Sequence, residues 1–193
     1  MGPVIETMLR TADLTESQRK ICLRGIIQMA DADGVLEPRE RKYLQMFIDE
    51  FFEGADPASE ELSTPISKAD LAALDTTEAR ESFVAYLYIT AYIDEDFSPE
   101  EKKLADELSL ELLDAARRDE ILAGVREFLY RRAVFAYAFR FGGLPMEFAR
   151  DAAKRFELSS ETAGEINTNV FNAVMAMRGP HAQASASLEG SAD

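Results

Sequence analysis

The chain has 193 residues, with 36 acidic against 21 basic side chains and a formal charge of −15. That balance argues against a nucleic-acid phosphate footprint, which needs clustered Lys and Arg, and it disfavours docking on an anionic membrane surface. It leaves cation binding, a basic partner, or plain solubility.

At 47% apolar residues the chain is able to bury a sizeable core. Cys22 is the only cysteine, so no internal disulfide forms and a reducing compartment is the simpler reading. Residues 1–10 lack the basic and apolar regions of a signal peptide. No apolar run approaches the ~18–20 residues that span a bilayer. A cytoplasmic protein without membrane insertion is expected.

Thr15-x-x-Gln18 has the form of a capping box, and opens a predicted helix over 15–32. Cys22, between Ile21 and Leu23, reads as a core residue of that helix. A second helix over 38–52 follows from Leu44, Phe47, Ile48 and Phe51, whose spacing lines one helical face. Residues 53–65 carry Gly54, two prolines and several acids and read as a linker. A short helix is expected at 67–74. Asp75-x-x-Glu78 repeats the capping form before a helix over 76–93, striped by Phe83, Leu87 and Ala91.

Ser98-Pro99-Glu100-Glu101 is the strongest start signal. Ser caps, Pro takes the first helical position and Glu the third. The helix predicted from it covers 99–113, with Leu104, Leu108 and Leu112 on one face. A long helix over 117–140 carries Ile121, Val125, Phe128 and Leu129, continued by Phe135 and Phe139, and Gly142-Gly143 terminates it. Helices over 145–156 and 160–177 follow, the last opened by Ser159 or Ser160. No period-two alternation is sustained, so no sheet is expected. The fold class is an all-α helical bundle of about seven helices over 1–178. Residues 179–193, with one Leu, read as a disordered tail.

An internal repeat is the most informative feature. Ala30, Asp33, Leu36, Pro38, Glu40 and Lys42 match Ala91, Asp94, Phe97, Pro99, Glu101 and Lys103, every pair 61 residues apart. Upstream, Cys22 matches Phe83 and Ile26 matches Leu87. Each unit, about 15–52 and 76–113, is helix, acidic turn, helix. A weaker third echo at Leu144-Pro145-Met146-Glu147 has Arg140 where the others have Asp, and reads as structural only.

Two readings of the acids stand side by side. In one, Asp33 and Asp94 end a helix while Glu40 and Glu101 complete capping boxes. In the other, Asp33, Glu40, Asp94 and Glu101 form an oxygen-rich site for Ca2+ or Mg2+, with Asp31 and Asp96 as accessory ligands. Both can hold, because capping uses part of a carboxylate's acceptor capacity. An EF-hand loop would put Met29, which cannot ligate, at its first position, and Glu95 replaces the turn glycine in the second copy.

At these residues the chain resembles the TerB-like tellurite-resistance family. Met29 to Leu36 with Glu40 looks like the family's first Asp-Gly turn and following Glu, and Tyr92 to Phe97 with Glu101 like the second. The likeness covers roughly 15–140, and the second copy lacks the glycine. The resemblance implies an all-α fold with pseudo-two-fold symmetry, an acidic site where the turns approach, and a role in tellurite or other chemical stress.

Paired carboxylates also serve acid–base catalysis. His181, the only histidine, lies in the tail, and no phosphate loop or nucleophile elbow is present. The expectation is therefore a non-catalytic module that binds a divalent cation, a partner protein or both. A protein partner or a homo-oligomer is expected, with no nucleic acid and at most indirect membrane association through a partner. The alternatives are a structural interaction or oligomerisation domain without metal and, less favoured, a carboxylate-only hydrolase.

Overall fold

A computed structural model describes residues 9, 13–32, 38–52, 62, 64–92 and 98–178, with the backbone alone at 38–40, 43, 47 and 51. Eight helices and no strand occur among the described residues, which makes the protein an all-α helical bundle. They are α1 (Glu16–Ala30), α2 (Pro38–Phe51), α3 (Lys68–Ala73), α4 (Thr77–Ala91), α5 (Pro99–Ser109), α6 (Ala115–Phe141), α7 (Met146–Arg155) and α8 (Ser160–Arg178). The chain forms two compact units, 1–125 and 126–193, and the division falls inside α6. Residues 1–125 carry 28 acidic and 13 basic side chains, so the whole formal charge of −15 resides there. Residues 126–193 balance at eight of each sign.

In the first unit α4 is the central element. Every residue from Ser82 to Tyr92 is buried. A helix apolar on all faces needs neighbours on all faces. α1 supplies one wall through Ile21, Cys22, Ile26 and Met29. Gly25 sets how close that wall comes, because a Cβ there would lie 2.6 Å from the Phe83 ring and 3.2 Å from Leu87 Cδ2. Leu44 and Ile48 of α2 are buried, as the stripe predicts, while the Phe47 and Phe51 side chains lie outside the described residues. Phe52 follows, its ring 5.0 Å from that of Tyr86. The Tyr86 hydroxyl donates to the Leu9 carbonyl, which ties the segment before α1 to the core.

The predicted starts mostly hold. Thr15 and Gln18 form a full capping box, and so do Ser98 and Glu101. Asp75 does not cap α4. Thr76 does, accepting from the Ala79 N–H at 3.1 Å, and Asp75 instead accepts from Gln18 Nε2 at 3.0 Å. The helix expected over 99–113 stops at Ser109, where the Leu112 and Leu113 N–H groups both donate to the Ser109 carbonyl. Asp114 then starts α6 by accepting from the Arg117 N–H at 2.8 Å, which draws the chain out of the earlier helix.

Arg24 fastens the end of the predicted linker and α3 to α1. Its guanidinium donates to the Thr64 and Pro65 carbonyls and bidentately to Asp70 at 2.8 and 3.1 Å. Burial opposes the Asp70 charge, but hydrogen bonds from Ser67 and Arg24 outweigh it and hold the carboxyl below its usual range.

The second unit is three helices. Tyr130 of α6 reaches the Ala149 carbonyl of α7 and Asn167 of α8 through one buried hydroxyl. Val134, Ala138, Ala152, Ala153, Ile166, Val170 and Val174 are the other buried side chains of these three helices within the unit, with Phe128, Ala149 and Ala163. Gly142, at φ 75°, ends α6 and donates to the Ala138 carbonyl at 2.8 Å. Pro145 is the residue before α7 rather than its first helical residue, with no side-chain cap. Phe139, expected on the buried stripe, is 53% exposed, because Val134 and Ala138 hold the inward face.

Two measurements test this packing. Gly25→Ala gains helix propensity of about 1 kcal/mol but drives a methyl into the buried Phe83 ring. A net loss of about 1–2 kcal/mol is expected in urea denaturation. A depressed acid stabilises the fold above its unfolded pKa, and that contribution is lost as pH falls through the lower folded value. Asp70→Asn is thus expected to cost about 1–2 kcal/mol at pH 7, with the gap to the parent chain closing below about pH 4.

Candidate functional site

The helices that frame the acidic turns keep the spacing read from the sequence. Thr77 follows Glu16, Ala91 follows Ala30 and Pro99 follows Pro38 by 61 residues each, so α1 and α4 share both bounds and α2 and α5 share their start.

α1 and α4 also run side by side in one direction. Gln18 near the start of α1 meets Ala73 and Asp75, just before α4, at 3.4 and 3.0 Å. Gly25 in the middle of α1 lies against Phe83 and Leu87 in the middle of α4. Between them the chain runs back along α1 in the opposite sense, with Asp75 beside Gln18, Asp70 beside Arg24 and Ile66 beside Gln28. The ends of α1 and α4, each followed in sequence by an acidic segment, therefore lie at the same end of the pair.

At the end of α1, Asp31 is exposed and its N–H donates to the Ile27 carbonyl, while the Ala32 N–H donates to that of Met29. Asp31 closes its helix through the backbone, which leaves its carboxylate in solvent. Met29, the residue that breaks the EF-hand pattern, is buried. Tyr92, also buried, closes α4 in the same place.

Glu101 is buried at 8% exposed. One carboxylate oxygen, Oε2, accepts from the Ser98 N–H at 2.9 Å, and the Glu101 N–H donates to Ser98 Oγ at 3.1 Å. This is the reciprocal cap the sequence predicts, with Pro99 at the first helical position. Sixty-one residues earlier, the position of Ser98 is held by Glu37, which has no hydroxyl to offer. Glu40 occupies the third position of α2 with an acid, not a serine, as its counterpart. Asp33, Asp94 and Asp96 lie outside the described residues, as does the side chain of Glu40. Among the described residues no three His, Cys, Asp or Glu side chains converge to hold an ion.

Cys22 is fully buried and burial pushes its thiol pKa up, which makes it a core residue rather than a nucleophile. His181 lies outside the described residues. An open cleft of about 550 Å³ follows the solvent face of α5, past Lys102, Lys103, Asp106, Glu107 and Leu110, with Arg118. Its charges are mixed and largely paired, Arg118 with Asp106 at 3.4 Å and Lys103 with Glu107 at 3.9 Å. No helix among the described residues is long and apolar enough to cross a membrane.

No family model, curated protein or solved structure matches this chain.

Ser98→Ala removes the hydroxyl from a cap whose acid partner is buried, and is expected to lower stability by about 1 kcal/mol in thermal or urea unfolding. Glu101→Gln keeps a side-chain carbonyl for the Ser98 N–H and is expected to stay within about 0.5 kcal/mol of the parent chain.

Proposed function

We propose that this chain is a TerB-like, non-catalytic module that takes a divalent cation through its paired acidic turns and presents that site to a partner protein in a stress response. The observation that carries the reading is the parallel pairing of α1 and α4, which brings the two helix ends followed by Asp33 and Asp94 to one end of the first unit. A unit holding the entire formal charge of −15 adds a favourable field for a cation. The donors are all carboxylate oxygens, which suit Ca2+ or Mg2+ better than softer metals.

In this reading Asp33, Glu40, Asp94 and Glu101 hold the ion, with Asp31 and Asp96 completing its surroundings. Glu101 has one oxygen accepting from the Ser98 N–H, which uses only part of its acceptor capacity. That cap would aim the carboxylate and reduce the entropy lost on binding. Glu40 has Glu37, not a serine, as its capping counterpart. The metal-free alternative, a structural interaction domain, draws its support from the same Ser98–Glu101 box, which explains Glu101 without any ion.

Calorimetric titration of the full chain with Ca2+ and with Mg2+ separates the two readings. Binding heat and a rise in melting temperature with excess metal are expected, reversed by a chelator. The double substitution Asp33→Ala with Asp94→Ala is expected to abolish both. Glu101→Gln is expected to weaken binding about tenfold or more, a loss of about 1.4 kcal/mol, while leaving the unfolding midpoint in place. Absence of heat and of any midpoint shift with either ion sinks the cation reading.

A further inference from the structure

Large apolar side chains left in water gather at one end of the second unit. Phe139 and Phe141 close α6, Met146 opens α7 and Met177 lies one residue from the end of α8, at 53%, 61%, 88% and 66% exposed. Arg178, the last residue of α8, donates to the Phe139 carbonyl. Only residues 142–145 separate α6 from α7. The end of α6, the start of α7 and the end of α8 are thus one place in the fold. The apolar character runs inward through Tyr137, whose ring lies 4.6 Å from Phe141 and 4.1 Å from Phe148. The Arg140 guanidinium sits 5.2 Å over the Phe141 ring. Exposed apolar side chains concentrated in this way mark an interaction surface.

We propose that this end of the second unit is the contact of a two-fold symmetric dimer of the chain. Side chains of this size present roughly 200 Å² each, so their exposed fractions leave on the order of 500 Å² per copy. Two such ends face to face cover about 1,000 Å², the area a specific interface needs. Phe, Met and Arg are the residue types that interfaces favour.

Charge selects the partner. Arg140 and Glu147 are both exposed at this end, and neither makes an ion pair among the described residues. A two-fold contact is self-complementary, so an Arg140–Glu147 pair across it would form twice. The first unit, at −15, repels its own copy, whereas the second is balanced. This inference does not depend on the cation reading, and the two are tested on different residues.

Sedimentation equilibrium of the full chain tests it, with circular dichroism to verify folding of each variant. A monomer–dimer equilibrium is expected, and Phe141→Ser or Met146→Ser is expected to raise its Kd at least tenfold. Arg140→Glu and Glu147→Arg are each expected to weaken the dimer, and the two combined to restore it. A monomer at every concentration up to about 100 μM overturns the proposal, since a contact weaker than that binds below the range of specific complexes. So does a dimer that survives all four single substitutions, or one lost instead on Leu110→Ser in the first unit. A monomer that binds vesicles of anionic lipid through Phe141 assigns the surface to a membrane and likewise overturns the dimer.

Discussion

The burial of α4 on every face is the constraint from which the first unit follows. Eleven consecutive residues, Ser82 to Tyr92, lie out of water. They include Tyr86 and Tyr88, whose hydroxyl groups need partners in that setting. Tyr86 finds the Leu9 carbonyl, and Thr90 returns its hydroxyl to the Tyr86 carbonyl one turn back. With those groups satisfied, the remaining requirement is contact. A glycine in α1 allows the two helices to approach until Gly25 touches Phe83 and Leu87. That approach fixes the distance and register of the pair, and the register fixes where both helices end.

Polar anchors hold the surrounding pieces in place without adding to the core. Arg24 satisfies two carbonyls and one carboxylate with a single guanidinium, at 13% exposed. A charge this sheltered is stable only when paired and hydrogen-bonded. Arg117 does similar work at the start of α6, bridging Glu81 at 2.6 Å and Glu120 at 2.6 Å. Its pairing with two acids raises its pKa further, so the guanidinium stays charged. Both clusters lie in the unit that carries all the net charge. Some acids there are engaged by caps and ion pairs, and others, Asp31 among them, are exposed.

Helix existence was legible in the sequence because amphipathic spacing and start signals are local. Thr15, Ser98 and Gly142 act where their neighbours alone predict. What failed was set by contacts between distant segments. Asp75 looks like a cap in isolation, but Gln18, 57 residues away, claims its carboxylate and Thr76 serves instead. Phe139 continues the periodicity of Phe135, and the two rings do stack at 5.9 Å, yet the pair faces outward because Val134 and Ala138 face in. Arg24 gives no sequence signal at all, since its three partners lie 40 to 46 residues on. Of the six predicted acids, the side chains of Asp31 and Glu101 fall among the described residues, and only Glu101 shows its capping role directly.

The difference between the two copies is as informative as their likeness. Selection for fold alone requires a hydrophobe, a proline and a capping pair at each turn. The second copy has all of these, with Ser98 and Glu101 closing on each other. The first keeps the proline and the glutamate but has Glu37 where the hydroxyl should be, and Asp33-Gly34 where the second has Asp94-Glu95. A helix start with two acids satisfies its free N–H groups through the dipole and through one side chain at a time. It also accumulates negative charge that a fold does not need. That surplus at Glu37 and Glu40 is the part of the sequence that capping leaves unexplained.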